Sequence, residues 1–191
     1  MRKFDFGPNV ASAFPGFTPV NNKTAWDAAY GYGIQGKLAS DPMCGSYEYP
    51  NDLFSDFVPM HGFSADVPNG RYHVLFWAES ANYWEPMDEY GNRKVVAEGQ
   101  TVLDEKWNHA RYMKERFLLH AHTEDLPGDD HWDRYVKPRW TPHSFDVTVT
   151  DGRLDVQFDD PKDFESQYPG KNWPVNAMII CPVEDTAKLD A

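Results

Sequence analysis

The stretch that decides the fold is FDVTVTDGRLDVQF, residues 145–158. Apolar and polar side chains alternate over 145–150 and again over 153–158, so each half has one apolar face and one wet face. Asp151-Gly152 lies between the halves and supplies the backbone freedom that a tight reversal needs. The pattern predicts a β-hairpin over Phe145–Phe158 with one face in water.

A second predicted strand, RYHVLFWAE at residues 71–79, is largely apolar on both faces. Val74 and Phe76 share one face, and Leu75 lies on the other, so we expect a central strand covered on both sides. The preceding VPNG at 67–70 predicts a turn, because Asn-Gly tolerates positive φ angles.

Shorter strands are predicted elsewhere, at Lys3–Phe6, Lys94–Ala97, Gln100–Leu103 and Ala177–Cys181. Strands and helices do not alternate along the chain, which argues against a parallel α/β sheet. The sequence therefore predicts an all-β fold, an antiparallel sandwich of two sheets.

Residues 105–143 interrupt the strand pattern. Apolar side chains at helical spacing, among them Trp107 and Leu118, predict a short helix near 105–121, and Leu126–Asp130 is typical of a loop. We interpret the block as an insertion packed on the sandwich, so that residues 1–191 form a single domain, as their number also favours.

The charge balance excludes some partners. Lys plus Arg is 18 and Asp plus Glu is 30, giving a formal net charge of −12 and a pI near 4.9. An acidic surface repels phosphate backbones and anionic lipids, so we expect neither nucleic acid nor membrane as a partner. No apolar run reaches the roughly 18 residues of a membrane span, and Met1–Val20 lacks the apolar core of a signal peptide. The sequence leaves the compartment open.

The two cysteines, Cys44 and Cys181, have no metal-type spacing. A disulfide between them and two buried thiols are both compatible with the sequence.

The polar cluster most like a metal site is His120-Ala121-His122, followed by acidic residues over 124–133. On a strand the two imidazoles would point the same way, as two ligands must. A metal-dependent enzyme is one hypothesis for this segment, and a solvated acidic loop with incidental histidines is the other. Neither a serine-hydrolase elbow nor a phosphate-binding glycine loop occurs, so we predict no catalytic residues and no enzyme.

Aromatic residues make up 15% of the chain, and several follow predicted strands or turns. Tyr30 and Tyr32 precede Gly33, and Tyr83-Trp84 follows the strand at 71–79. A pyranose has an apolar C–H face that stacks on such rings. An aromatic ring that stays exposed lacks the stabilisation that burial would give it, unless a ligand covers it. The alternative is that the rings cap the sandwich core, which we favour for Trp26 and Trp77.

The chain resembles the malectin-like and galactose-binding-like jelly rolls. The resemblance is carried by the order of five loose motifs, at residues 4–8, 30–33, 67–74, 145–158 and 175–180. It implies a jelly-roll β-sandwich of the kind often appended to polysaccharide-degrading enzymes. The location would be extracellular or periplasmic if this chain is part of a secreted glycan-degrading protein. Related domains often hold a structural calcium, so calcium is a possible cofactor.

The resemblance also implies ligand-binding residues. Tyr83 and Trp84 fall where the malectin family has its stacking rings, and Asn172-Trp173 falls in the segment that bears the family's acid. Glu79, Tyr32 and Asn172 would supply hydrogen bonds, and Tyr30 would add a ring.

The function expected is therefore a noncatalytic carbohydrate-binding module. It would hold a neutral oligo- or polysaccharide weakly, with a Kd on the order of 0.1–1 mM. The alternative is a structural or interaction domain that supports a catalytic neighbour or an oligomer and binds no glycan.

Overall fold

A computed structural model gives the fold. It describes residues 1–7, 13–36, 38, 43–44, 50–79, 92–106, 108–112, 114, 123–159 and 174–189.

Strands account for about half of the described residues. In chain order these are β1 Arg2–Phe6, β2 Thr18–Val20, β3 Tyr32–Gln35, β4 Met43–Cys44, β5 Asp56–Pro59, β6 Gly62–Asp66, β7 Gly70–Trp77, β8 Asn92–Ala97, β9 Gln100–Lys106, β10 His143–Val149, β11 Arg153–Asp159, β12 Pro174–Val175 and β13 Ala177–Pro182.

The strands form two five-stranded sheets and one small sheet. The first sheet has the order β10-β7-β13-β1-β2, the second has β3-β6-β11-β8-β9, and β12-β5-β4 form the third. All pairs are antiparallel except β1 with β2. The fold is thus an all-β, antiparallel sandwich, as the sequence predicts.

Aromatic side chains fill the space between the two large sheets. Phe63 of the second sheet lies edge-on to Phe4 and Phe6 of the first, with ring centroids 4.8 and 5.1 Å apart. Phe76 meets Phe158 in the same way at 5.5 Å. These five side chains are essentially inaccessible to water, so this layer is the core that holds the sheets together.

The hairpin predicted over 145–158 is wrong in its pairing, although both of its strands form. β10 pairs with β7 in the first sheet, whereas β11 pairs with β6 and β8 in the second. The turn at Asp151-Gly152 is therefore a corner that carries the chain from one sheet to the other. A corner and a hairpin have the same alternation of apolar and polar residues, because in both one face of each strand is buried.

The predicted turn at 67–70 makes a matching corner between β6 and β7. The two corners contact each other: the Val67 N–H donates to the Gly152 carbonyl (3.0 Å) and the Asn69 side-chain amide donates to the Thr150 carbonyl (2.8 Å). They define the corner end of the sandwich. The opposite end, where β7 and β11 finish and where β8 and β12 begin, is called here the loop end.

The helix predicted over 105–121 is also placed differently. Residues 105 and 106 belong to β9, and a one-turn helix, α1, covers His109–Tyr112. The remainder of the prediction, at 107, 113 and 115–121, lies outside the described residues. β9 extends because it pairs with β8 up to the Asn92–Lys106 pair.

The end of the insertion packs on the outer face of the first sheet. Trp140 stacks near Phe54, with centroids 5.1 Å apart, and its carbonyl accepts a hydrogen bond from the Trp77 indole N–H (2.8 Å). Trp77 thus caps a small apolar cluster on the outside of β7, in line with the core role favoured for it.

Cys181 is a free, buried thiol, so the alternative of a disulfide with Cys44 is not realised. No helix among the described residues has the length and apolar character that a bilayer crossing requires.

Candidate functional site

The structure describes three of the predicted ligand-binding residues, namely Tyr30, Tyr32 and Glu79. The other four, Tyr83, Trp84, Asn172 and Trp173, lie outside the described residues, as do His120 and His122.

Tyr32 and Glu79 lie at opposite ends of the sandwich. Tyr32 begins β3 and pairs with Ala65, close to the corner end. Glu79 follows the last residue of β7 at the loop end. The eight residues of β7 span about 23 Å at about 3.3 Å per step, so one small sugar cannot contact both side chains.

Glu79 is held inside the protein. Its residue is 4% exposed, and its carboxylate lies 3.4 Å from the guanidinium of the buried Arg93. Its backbone N–H donates to the Asn176 side chain (2.9 Å). These contacts give Glu79 a structural role at the loop end.

Tyr30 and Tyr32 line an open groove at the corner end. The groove has a volume of about 470 Å³, and its lining includes both tyrosines together with Pro19, Lys23, Thr24, Ala25, Trp26 and Asp27. Tyr30 is 69% exposed, and its ring centroid lies 6.4 Å from that of Tyr32 at an angle of 53°. Two inclined rings therefore present apolar faces beside ammonium, hydroxyl and carboxylate groups.

Local hydrogen bonds form the turn that carries Tyr30 at one edge of the groove. The Asp27 carbonyl accepts hydrogen bonds from the N–H groups of Tyr30 (3.1 Å) and Gly31 (2.9 Å), and the Asp27 side chain accepts one from Ala29 (2.8 Å). This turn places Tyr30 at its outer edge. Gly31 has φ +66°, a conformation that favours glycine.

The segment that carries Trp26 is tied to β3. The Trp26 N–H donates to the Ile34 carbonyl (3.0 Å), and the Ile34 N–H donates to the Thr24 carbonyl (2.8 Å). Gly33 lies between these bonds with φ +154°, and a Cβ there would come within 2.3 Å of the Trp26 Cα. Only glycine lets the two walls of the groove approach this closely.

Arg2 fixes the tyrosine wall from behind. Its Nη1 donates to the carbonyl oxygens of Gly31 and Asp66, each at 2.8 Å. Its guanidinium also lies over the rings of Phe4 and Tyr32, 5.0 and 5.4 Å from their centroids. One side chain thereby links β1, the Tyr30-Gly31-Tyr32 turn and the end of β6.

Trp26 is a wall of the groove and not a member of the central core. It is half-buried, and the Arg153 guanidinium lies over its ring at 5.0 Å. Arg153 is in turn paired with Asp155, at 3.0 Å from Nε to Oδ1. The core role that the sequence favours for Trp26 is therefore met only in part, because its ring also faces the groove.

Sequence reasoning missed the polar lining of the groove. Lys23, Thr24 and Asp27 belong to the turn-forming runs on either side of Trp26. The signal present in the sequence is Asn21, whose side-chain oxygen accepts a hydrogen bond from the Lys23 N–H (2.9 Å). Such an Asx turn marks a tight reversal but does not say which surface it borders.

The acidic residues of 124–133 make contacts within their own segment. Arg134 contacts Asp125 and Asp129, and Lys137 contacts Asp133. The Leu126 N–H, with Arg134 beside it, holds the pKa of Asp129 below its usual value. Within the part of the chain that the structure describes, no group of three or more His, Cys, Asp or Glu side chains could hold a metal ion. Calcium stays a prediction.

A smaller cavity of about 140 Å³ lies beside β1 and β5, with Asp5, Asp52 and Asp56 among its lining residues. Asp5 is 9% exposed and accepts a hydrogen bond from the Phe14 N–H (2.7 Å). Burial, with a contribution from the Asp56 charge, raises the pKa of Asp5, and burial likewise raises the pKa of Asp56.

Comparisons with known proteins show the fold. No protein-family profile and no curated protein matches the chain. The protein YxiM from Bacillus subtilis is similar in structure at 19% identity, with a TM-score of 0.56. Beta-glucuronidase 2 of Bacteroides uniformis is similar at 12% identity, with a TM-score of 0.53, and a further structure of a beta-glucuronidase from that organism scores 0.52.

These similarities cover 95% of this chain but only part of the larger proteins. The chain spans 40% of the YxiM chain and 18% of each glucuronidase chain. At such identities the match concerns the arrangement of strands, and it places this β-sandwich among folds that occur within longer proteins.

Proposed function

We propose that this protein is a noncatalytic glycan-binding module, and that the groove between Trp26 and Tyr30 is a site at which it holds sugar. The observation that carries the proposal is the exposure of Tyr30 beside Tyr32 on a rigid turn. An aromatic ring left in water at a fixed position gains stabilisation when an apolar surface covers it. The hydroxyl groups of a sugar would meet Lys23, Thr24 and Asp27 at the groove wall.

The structural neighbours support a carbohydrate setting. Two of the similar structures are beta-glucuronidases, whose name refers to a sugar acid. This chain corresponds to only 18% of each of those chains. A module that binds glycan and is linked to, or acts with, a polysaccharide-degrading enzyme fits that setting.

The contribution of Tyr30 can be estimated from ring area. A sugar that covers roughly 50 Å² of one ring face gains about 1.3 kcal/mol, which is close to tenfold in Kd. Tyr30→Ala should therefore weaken binding about tenfold. It should leave stability within about 0.5 kcal/mol, because the side chain is exposed.

Affinity electrophoresis against a panel of polysaccharides tests the proposal, with titration of oligosaccharides to give Kd. Trp132→Ala is the matched control, since Trp132 is 55% exposed but lies in the insertion. The variant Tyr83→Ala/Trp84→Ala tests the second sugar site that the resemblance implies. Retention that is lost in Tyr30→Ala and kept in Trp132→Ala supports the groove. Absence of retention on every glycan would refute the proposal.

The alternative function, a scaffold for a neighbouring domain or subunit, is favoured by a different surface. Trp132 and Leu126 are 55% and 61% exposed on a segment that Arg134 holds in place. This function predicts that Trp132→Ala changes assembly, measured by sedimentation, and that Tyr30→Ala has no effect on it.

A further inference from the structure

The groove contains a lysine whose charge the described structure leaves uncompensated. Lys23 is exposed and lines the groove with Tyr30. Its backbone N–H bonds to Asn21, but within the described chain no carboxylate lies within ion-pair distance of its ammonium. Lys106, Lys137 and Lys188 each contact a carboxylate, whereas Lys3 and Lys94 resemble Lys23 in having no ion pair within the described chain. Lys23 is set apart from these two by its place in the groove lining. The chain has 30 acidic and 18 basic residues, so a lysine without a paired carboxylate in an aromatic groove is a candidate contact for an anionic ligand.

Two further cations lie behind the aromatic walls. Arg2 lies over Tyr32 and Arg153 lies over Trp26. Arg153 is paired with Asp155, whereas the hydrogen bonds of Arg2 within the described structure go to neutral carbonyl groups. Lys23, Arg2 and Arg153 therefore supply positive charge at the groove of a protein whose net charge is −12. Asp27 in the lining and Asp66 beside the Gly31 turn supply negative charge. Lys23 differs from both arginines because no hydrogen bond or ion pair within the described structure engages its ammonium. Charges farther than about 8 Å are largely screened at physiological salt, so the local groups decide the sign that a bound ligand meets.

Among the described residues of the groove lining, the carboxylate of Asp27 makes a hydrogen bond within its own turn. Asp27 accepts the Ala29 N–H (2.8 Å), and this bond holds the turn that presents Tyr30. Asp27 keeps its negative charge, because the N–H that it accepts is neutral, but one of its carboxylate oxygens is engaged within the turn. The Lys23 ammonium is available to an incoming anion.

We propose that the groove selects a sugar that carries a carboxylate, a uronic acid residue, whose ring stacks on Tyr30 while its carboxylate pairs with Lys23. The inference rests on the proposed glycan-binding function and specifies its ligand class. It concerns one uronate within an otherwise neutral oligosaccharide, because a polyanion would also meet the acidic surface of the rest of the protein.

The test compares two ligands that differ in one group. A xylo-oligosaccharide with a single glucuronic acid branch and the unbranched oligosaccharide of the same length are titrated into the protein at an ionic strength of about 0.15 M, at which the distant acidic surface is screened. An exposed ion pair predicts about a two- to fivefold preference for the acidic ligand. Lys23→Met, which keeps the aliphatic stem and removes the charge, should abolish the preference. Lys23→Arg should keep it, and 0.5 M NaCl should reduce it in the unaltered protein.

The outcomes separate this inference from the proposed function. Equal affinity for the two ligands, or a preference that persists in Lys23→Met, refutes uronate selection and leaves glycan binding standing. If neither ligand nor any other glycan binds, and Tyr30→Ala behaves like the unaltered protein, both proposals are refuted. Lys23 is exposed, so its variants should fold, and equal thermal midpoints would confirm this.

Discussion

Replacement of Gly33 by alanine should open the groove and destabilise the protein. A Cβ at this position would lie 2.3 Å from the Trp26 Cα and 2.5 Å from the Ala25 carbonyl carbon, so the segment must move away from β3. Two backbone hydrogen bonds, Trp26 to Ile34 and Ile34 to Thr24, would be lost or weakened. At a net value of about 0.5–1.5 kcal/mol each, they contribute about 1–3 kcal/mol.

The backbone angle adds a second cost. Gly33 has φ +154°, and a non-glycine residue held in such a region costs about 1–3 kcal/mol. The two effects together lower the free energy of unfolding by about 2–6 kcal/mol. This is a large part of the 5–15 kcal/mol typical of a domain.

Gly99→Ala is the matched control. Gly99 also has a positive φ, +72°, but a Cβ there would meet nothing within 4 Å. Its replacement should cost only about 1–2 kcal/mol of backbone strain. Urea unfolding of the two variants measures the difference, which we expect to be at least about 1 kcal/mol from the hydrogen bonds.

Sugar binding gives the second readout. Folded Gly33→Ala should lose glycan retention because Trp26 and Tyr32 no longer face one groove, whereas Gly99→Ala should keep it. Equal and small losses of stability in the two variants would refute the reasoning, because they would mean that the close approach at Gly33 is not needed.

Three other replacements or conditions test the core and the buried groups. Because the pKa of Asp5 is raised, the ionised carboxylate opposes folding, and the stability present below about pH 4 is lost as pH rises through the folded-state pKa. Asp5→Asn, which can still accept the Phe14 N–H, should therefore raise the free energy of unfolding at pH 7 and lose this advantage towards pH 4. A gain that is the same at both pH values would contradict this. Burial raises the pKa of the Cys181 thiol, so this thiol should resist a maleimide at pH 7 until urea unfolds the protein; rapid labelling of the folded chain at Cys181 would show the site to be open. Phe63→Ala should cost about 3–5 kcal/mol in thermal or urea unfolding, and a loss below 1 kcal/mol would mean that the contacts of Phe63 do not hold the two sheets together.

The strands were predictable from the sequence to a large extent because alternation reports burial of one face. Predicted Lys3–Phe6 became Arg2–Phe6, and predicted Ala177–Cys181 became Ala177–Pro182. Alternation does not report which strand is the neighbour. For this reason the sequence predicts a hairpin at Asp151-Gly152, where the structure has a corner between two sheets.

The candidate site was predictable only in its aromatic members. Tyr30 and Tyr32 are conspicuous because they stand beside glycines in a turn. The grouping of Tyr32 with Glu79 failed because it needs the direction of β3 relative to β7, which depends on pairing between strands that are far apart in sequence. Lys23 gave no signal, since an exposed lysine in a turn is common in any protein.

The contact between the two corners affects how fast the chain can fold. The hydrogen bond from Val67 to Gly152 joins residues 85 apart, and that from Asn69 to Thr150 joins residues 81 apart. Neither corner can form these hydrogen bonds until the long segment between them has closed into a loop. The chain therefore loses conformational entropy before the hydrogen bonds stabilise it. We expect refolding in milliseconds to seconds, as in other β-sandwiches dominated by distant contacts. Substitutions at the corners should then slow refolding if the corners meet in the transition state, and should only speed unfolding if they meet after it.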